Sequence, residues 1–334
     1  MKQKMLKGLI LSCLIAATAM QAATWKYAMG EGLNDPQGLY ATHFKSYIEE
    51  NSKNKIQLYA VGALGEETDM MEQVQAGLLQ FLGQSAGYMG GTIPEMDVFF
   101  VPYLLPTDVK ELDTFFKNSK VINKMLPAIV RKHDLELLSI YPEGEFGTTT
   151  FKEFHSPADL KGMKMRVMPG SPLLVETWAA FGASPVPMTW GETIGALKTN
   201  MIDGEENPVI WIAAYGLDKL SNVLTYTGHG HFIGTAIANK KFFDNLSTKN
   251  KKLVKDAATS AQKYILKKAQ DLDALGLGRI IRSNPDYKIV TLTAAERAPF
   301  IKRSESVQES FGKISSSNKA IVDQMKKDLA AAAE

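Results

Sequence analysis

Residues Leu160–Pro208 read LKGMKMRVMPGSPLLVETWAAFGASPVPMTWGETIGALKTNMIDGEENP. One arginine, Arg166, stands inside the apolar, strand-like run MKMRV, and the stretch ends on Asn207 at the close of the acidic segment DGEEN. A charge flanked by apolar residues on a strand is costly unless an anion meets it. The guanidinium offers a planar fork of donors that suits a carboxylate in a bidentate way. Two partners satisfy that demand, an internal Asp or Glu and an anionic ligand. Between Arg166 and Asn207, Leu174, Trp178 and Phe181 share one helical face, which assigns Trp178 to the core. Thr189 and Glu192 form a T-x-x-E capping box that opens a helix at Trp190 and gives Glu192 a structural task. Upstream, Ser156-Pro157-Ala158-Asp159 predicts a short helix, ended by Gly162. Asp203-Gly204 predicts a turn, with Asp203, Glu205 and Glu206 as turn and surface groups.

Working outward, short apolar strands alternate with longer helical patterns, the mark of an α/β fold. Trp25–Met29, Ile56–Ala60 and Leu135–Ile140 read as strands, the last ending at Tyr141-Pro142. Tyr40, Phe44, Tyr47 and Ile48 fall on one helical face, and Glu67–Ala76 reads as a second helix. The longest helical pattern covers Thr248–Ser283, where Val254, Ala258, Ala261, Ile265 and Leu272 recur at three- and four-residue spacing. A chain of 334 residues with 45% hydrophobic content is long enough for two domains.

The N-terminus has the layout of a secretory signal peptide over residues 1–22: Lys2, Lys4 and Lys7, an apolar run from Gly8 to Ala17, then small residues. Cleavage after Ala19 and after Ala22 both fit. The one cysteine, Cys13, falls in this segment, so the mature chain is expected to hold neither disulfide nor thiol chemistry. A lipoprotein reading of Ile10-Leu11-Ser12-Cys13 leaves a very short apolar region. Losing the three lysines takes the formal charge from +2 to about −1. Nothing resembles a nucleic-acid footprint, and the lysines of Lys249–Lys255 read as a solvated helix face. No later apolar run reaches the roughly twenty residues of a membrane helix. The expectation is an exported protein of the periplasm that does not itself span the membrane.

The Leu160–Pro208 stretch resembles the signature of the substrate-binding proteins of TRAP transporters, the DctP-like family. The matching pieces are Leu160–Val167 (LKG-hydrophobic-K-hydrophobic-R-V), Gly182–Met188 (GA-x-P-x-P-M), Glu192–Leu197 and Asp203–Asn207 (DG-x-EN). LYAVGALGEE (Leu58–Glu67) and VPYLLP (Val101–Pro106) extend the likeness along the chain. The resemblance implies a two-lobed periplasmic binding protein fold with a ligand cleft between the lobes and a long helix spanning both. It divides the chain into a first domain of 24–143 plus 233–272 and a second of 144–232 plus 273–334. It implies a receptor that closes on a small organic acid and delivers it to the membrane subunits of the transporter, working as a monomer without enzymatic activity or cofactor.

On that resemblance Arg166 binds a ligand carboxylate and Asn207 hydrogen-bonds the ligand; taken alone, Asn207 is also a turn residue. Trp190, at the first turn of its helix, packs on the ligand or in the core. Glu31, in the loop Gly30–Gly38, and Gln84, Ser85 and Tyr88, in the loop after Gly83, are the candidates from the first domain. Glu66 reaches the cleft or caps the helix after it. A sialic-acid-binding branch carries a second arginine about twenty residues before the strand arginine; here Phe146 stands there, beside Glu145. With Glu31, this disfavours a dianion or sialic acid and favours a monoanion, hydroxylated, amino-bearing or aromatic, or a sulfonate. His229 is a further pocket candidate. His229 and His231 lie two apart, as on one face of an extended segment, yet no HExxH or cysteine supports a metal site. Two other functions remain open: the ligand-binding subunit of a sensory system, and an exported hydrolase, for which no G-x-S-x-G elbow or phosphate loop is present.

Overall fold

The computed structural model describes residues 23–334, apart from the side chains of 269 and 270; the expected signal peptide at 1–22, with Cys13, lies outside the described residues. Strands β1 (Thr24–Met29), β2 (Lys55–Tyr59) and β3 (Phe81–Ser85) alternate with helices α1 (Pro36–Asn51) and α2 (Glu67–Gln75). These strands are parallel, with β1 between β2 and β3. After α3 (Val109–Asn118) and α4 (Leu126–Val130) the chain enters β4, Leu135–Thr150. A second parallel set follows: β5 (Lys164–Val167), α5 (Pro172–Phe181), β6 (Ser184–Pro187), α6 (Trp190–Lys198), β7 (Gly204–Pro208) and α7 (Val209–Tyr215). Next come β8 (Val223–Tyr226), β9 (His231–Asn239), α8 (Lys240–Asn245) and α9 (Thr248–Ser283). The chain closes with β10 (Lys288–Thr291), α10 (Ala294–Lys313) and α11 (Ser316–Ala332).

One sheet path runs β2-β1-β3-β9-β4-β7-β5-β6, with β8 pairing both β4 and β10. Two half-sheets are thereby joined through β4. Its first part, Leu135–Glu145, pairs antiparallel with β9, and its last part, Phe146–Thr150, pairs with β7. The long helix α9 packs on α1 of the first half and α7 of the second. Its buried stripe of Val254, Ala258, Ala261, Ile265, Leu272 and Ile280 carries it across both. Trp178 is fully buried, as its place on the inner face of α5 requires.

Three local expectations are corrected. β4 does not stop at Tyr141-Pro142; the register against β9 shifts between Pro142 and Gly144. A proline can remain in a strand where a bulge asks no N–H of it. Asp203 stays in a bend, but the GEEN that follows is not a turn with surface acids: it is the central strand β7, with Glu205 0% and Glu206 4% exposed. Thr149 Oγ1 and Asn207 Nδ2 donate to Glu205, and His229 Nε2 meets Glu206 Oε2 at 2.9 Å, so buried partners compensate the desolvation. Ser156–Asp159 forms turns, not a helix. Asp159 accepts from the N–H groups of His155 and Ser156 and from the Ser156 hydroxyl, which closes the chain locally.

Candidate ligand-binding site

Between the two half-sheets lies a narrow cavity, with about 290 Å³ of space between its lining atoms, open solvent included. Its walls come from the segments that leave the carboxyl ends of the parallel strands, where open α/β sheets bind ligands. Gly30 and Glu31 follow β1, Ser85 and Tyr88 follow β3, and Glu67 opens α2. From the other half come Arg166 on β5, Trp190 at the start of α6, Asn207 on β7 and Trp211 on α7, with Phe232 of β9 completing the wall.

Arg166 is only 3% exposed. Its Nε donates to the Met188 carbonyl at 2.9 Å and its Nη2 to the Tyr88 hydroxyl at 3.0 Å. The guanidinium carbon sits 5.8 Å from the Trp190 ring centroid, a cation–π distance. Among the described residues Arg166 forms no ion pair with a carboxylate, so the internal Asp or Glu partner left open by the sequence is not there. Trp190 meets Trp211 and Tyr215 edge-on, each at 5.1 Å, while Trp211 stacks on Tyr215 at 4.9 Å and on Phe232 at 6.1 Å. Trp190 therefore serves core and cavity wall at once. The capping box of Thr189 and Glu192 sets the start of α6, which aims Trp190 inward.

Two acids, Glu31 and Glu67, line the same cavity. Glu31 accepts from the Gln37 N–H at 2.7 Å, and its Oε1 is buried without a partner. Glu67 Oε2, Gln37 Oε1 and Trp211 Nε1 are likewise buried and unpartnered among the described residues. Burial, first, and the neighbouring Glu143 carboxyl push Glu31 well above the ordinary carboxylate range. Burial also raises Glu67, opposed by Arg166 and Tyr88, and carries Glu205, beside Asn207, up to about 7. One cation, two buried acids and an aromatic wall thus line one cavity.

Six of the residues singled out from sequence meet in this cavity: Arg166, Asn207, Trp190, Glu31, Ser85 and Tyr88. Five do not line it: Gln84, Phe146, Glu145, Glu66 and His229. Gln84 points behind β3, where its Nε2 reaches Met71 Sδ at 3.3 Å. Phe146 stacks on His229 at 5.5 Å, in an aromatic cluster with Trp178 and Phe181. Glu145 lines a wider, more open groove with His231, Lys263 and Asp273. Glu66 forms a reciprocal capping box with Asp69, and the tip of its side chain lies where a Cβ on Gly191 would sit. The two histidines do not share a face: His229 pairs with Glu206, and His231 Nε2 bonds the Pro106 carbonyl at 2.9 Å. Among the described residues no group of three or more His, Cys, Asp or Glu is placed to hold a metal ion, and no helix is long and apolar enough to cross a membrane.

Sequence reasoning missed Glu67, Gln37, Trp211 and Phe232. Trp211 carried a usable signal, an aromatic in the first turn after the EENP strand, like Trp190 after PVPMT. Glu67 and Gln37 carried none, because each reads as an ordinary first-turn helix residue.

The chain is 44% identical over 321 residues to the ectoine/5-hydroxyectoine-binding periplasmic protein UehA of Ruegeria pomeroyi, covering 96% of this chain and 94% of that protein. It is 41% identical over 316 residues to the ectoine-binding periplasmic protein TeaA of Halomonas elongata, covering 94% and 92%. The solved structure of the latter, from the TeaABC TRAP transporter, matches with a TM-score of 0.90 over 92% of this chain and 99% of that one. A TRAP periplasmic solute-binding protein from Desulfovibrio salexigens, solved with orotic acid, shares the fold at a TM-score of 0.86, 21% identity, and 92% and 99% coverage. The DctP model, described as bacterial extracellular solute-binding protein, family 7, matches residues 27–314. A cleft between two half-sheets, a helix crossing both and a family match over most of the chain agree, and the protein belongs to the DctP family of solute-binding proteins of TRAP transport systems.

Proposed function

We propose that this chain is a periplasmic receptor for a compact zwitterion of the ectoine class, which it hands to the membrane subunits of a TRAP transporter. The observation that carries the reading is the cavity's polarity. Among the described residues the guanidinium of Arg166 forms no ion pair with a carboxylate, and it shares an aromatic-walled cavity with the buried acid Glu31. A carboxylate takes the Arg166 end with help from the Asn207 amide. A delocalised cationic ring N–H takes the acidic end, its face against Trp190, Trp211 and Phe232. Ectoine and 5-hydroxyectoine, named in the two relatives above, are cyclic amidines with one carboxylate and carry both halves of this pattern. The monoanionic acid expected from sequence becomes, on this reading, its amino-bearing form.

The ligand touches both lobes only when they are shut, so it shifts the open–closed balance by its differential affinity. The hinge is placed by this proposal where β4, β9 and α9 cross, dividing the chain into 24–143 with 233–272 and 144–232 with 273–334. The chain binds its ligand unchanged, as a monomer. Calorimetry of the ligand-stripped protein tests the reading. Stoichiometric binding of ectoine or 5-hydroxyectoine, with silence toward succinate and galacturonate, supports it. Tight binding of a simple monoanion with no response to either ectoine refutes it.

A further inference from the structure

Behind Glu31, away from the cavity, lies a second carboxyl that the binding scheme above does not use. Glu143, in β4, is 0% exposed, as is Glu31. The two carboxyls lie within hydrogen-bonding reach of one another. Gln37 clamps both: its backbone N–H donates to Glu31 Oε2 at 2.7 Å and its Nε2 to Glu143 Oε1 at 3.3 Å. Across the ladder, β9 presents Gly234, where any Cβ would overlap Glu143 Oε1. A glycine in a fully buried strand costs packing, and here it makes room for this one carboxyl.

Two carboxylates in contact in a buried site cannot both be ionised at modest cost. Among the described residues no cation acts on either carboxyl. Asp35, in the turn before α1, faces both. Tyr141 on β4, Tyr27 on β1, Tyr40 on α1 and Tyr215 on α7 complete the surroundings. Arg279 acts on Asp35 rather than on the pair. A single proton between the carboxyls resolves the conflict and leaves Glu31, which lines the cavity, able to accept a hydrogen bond there.

We propose that Glu143 is a positioning residue, sharing one proton with Glu31 and thereby holding the Glu31 carboxyl as an acceptor toward the ligand. When a ligand N–H donates to Glu31, the shared proton moves fully onto Glu143, so Glu31 becomes the carboxylate and nothing else is gained or lost. Loss of the shared proton at alkaline pH sets two carboxylates against each other in the closed form. The open form, where Glu31 reaches water, is then favoured and the ligand is released. This rests on the proposed ligand reading, but its first test needs no ligand.

In infrared difference spectra of the ligand-free protein at neutral pH, Glu143→Gln and Glu31→Gln should each remove one protonated-carboxyl C=O band. Ectoine titrations from about pH 6 to 9 then follow. Glu143→Gln donates a permanent amide N–H in place of the shared proton. It should bind within about threefold of the unaltered protein at neutral pH and lose the alkaline fall in affinity. Glu143→Leu, checked for folding by its melting curve, should bind at least tenfold more weakly. Absence of the infrared band in the unaltered protein overturns the proposal, as does an alkaline fall that persists in Glu143→Gln, or full affinity in Glu143→Leu. Failure of the unaltered protein to bind ectoine would instead count against the ligand reading, while the infrared band still decides for or against the shared proton.

Discussion

Arg166 Nη2 donates to the hydroxyl of Tyr88 at 3.0 Å, a bond between a strand of the second half-sheet and the turn that ends the first. The residue assigned to ligand recognition is therefore also part of the seam that holds the cleft shut. Its removal should act on both. Arg166→Ala should weaken ligand binding by about 2–5 kcal/mol, the cost of stripping one partner from a buried charge pair. Arg166→Lys should recover only part of this, because an ammonium cannot serve the Met188 carbonyl, the Tyr88 hydroxyl and a carboxylate in one plane. Calorimetry reads both; unchanged affinity in Arg166→Ala removes Arg166 from the site.

Gly170 sits where the second half meets the backbone of Tyr88. A Cβ there would lie 2.6 Å from Tyr88 Cα and 2.7 Å from its carbonyl oxygen, and Gly91 N–H donates to the Gly170 carbonyl at 2.7 Å. Backbone cannot step aside as a side-chain tip can. Gly170→Ala should therefore obstruct closure while sparing each lobe. The expected result is a melting point without ligand close to that of the unaltered protein and a ligand affinity reduced at least tenfold. A large drop in ligand-free stability with normal affinity would show that the contact belongs to the fold, not to closure.

Tyr215, on α7, donates through its hydroxyl to Asp35 Oδ2, just before α1, at 3.1 Å. This is a second polar tie across the cleft, and it lies outside the cavity lining. Tyr215→Phe keeps the ring that stacks on Trp211 and removes only the hydrogen bond. Affinity should fall by roughly 1–2 kcal/mol, nearly all in a faster off-rate. A slower on-rate with an unchanged off-rate would contradict a role in holding the closed form.

Much of this fold is legible locally. The Thr248–Ser283 pattern gives α9 to the residue, because its apolar stripe is a local feature. The strand carrying Arg166 and the Thr189–Glu192 box are read the same way. What fails is what depends on distant partners. DGEEN has the composition of a turn, and only the neighbours Thr149 and His229, far along the chain, make its GEEN a buried strand. Glu143 hides in the same fashion, since YPEGEF reads as a strand end until β9 offers Gly234 opposite. In the cavity, Arg166 stands out because charge interrupts an apolar run. Glu67 and Gln37 do not, because an acid or amide in the first turn of a helix is ordinary.

Asp97 provides a pH test of the packing beneath the cleft. It is 3% exposed, and its Oδ1 accepts from the Ser171 hydroxyl at 2.9 Å, while Oδ2 reaches Leu173 N–H only at 3.5 Å. Burial, only partly offset by these two bonds, carries its carboxyl from the ordinary range up to about 7. A folded-state pKa above the unfolded value of about 3.9 means that the folded protein binds the proton more tightly. The stability so gained is complete below about pH 4, declines as the unfolded chain ionises, and is gone once pH passes the folded value near 7. Asp97→Asn removes this titration and keeps an acceptor for Ser171. The melting point of Asp97→Asn relative to the unaltered protein should therefore rise from pH 5 toward the folded value near 7, and level off above it. A difference that stays constant across that range would mean that Asp97 is ionised in the folded protein at every pH tested, and that Ser171 and the start of α5 stabilise the charge rather than the proton.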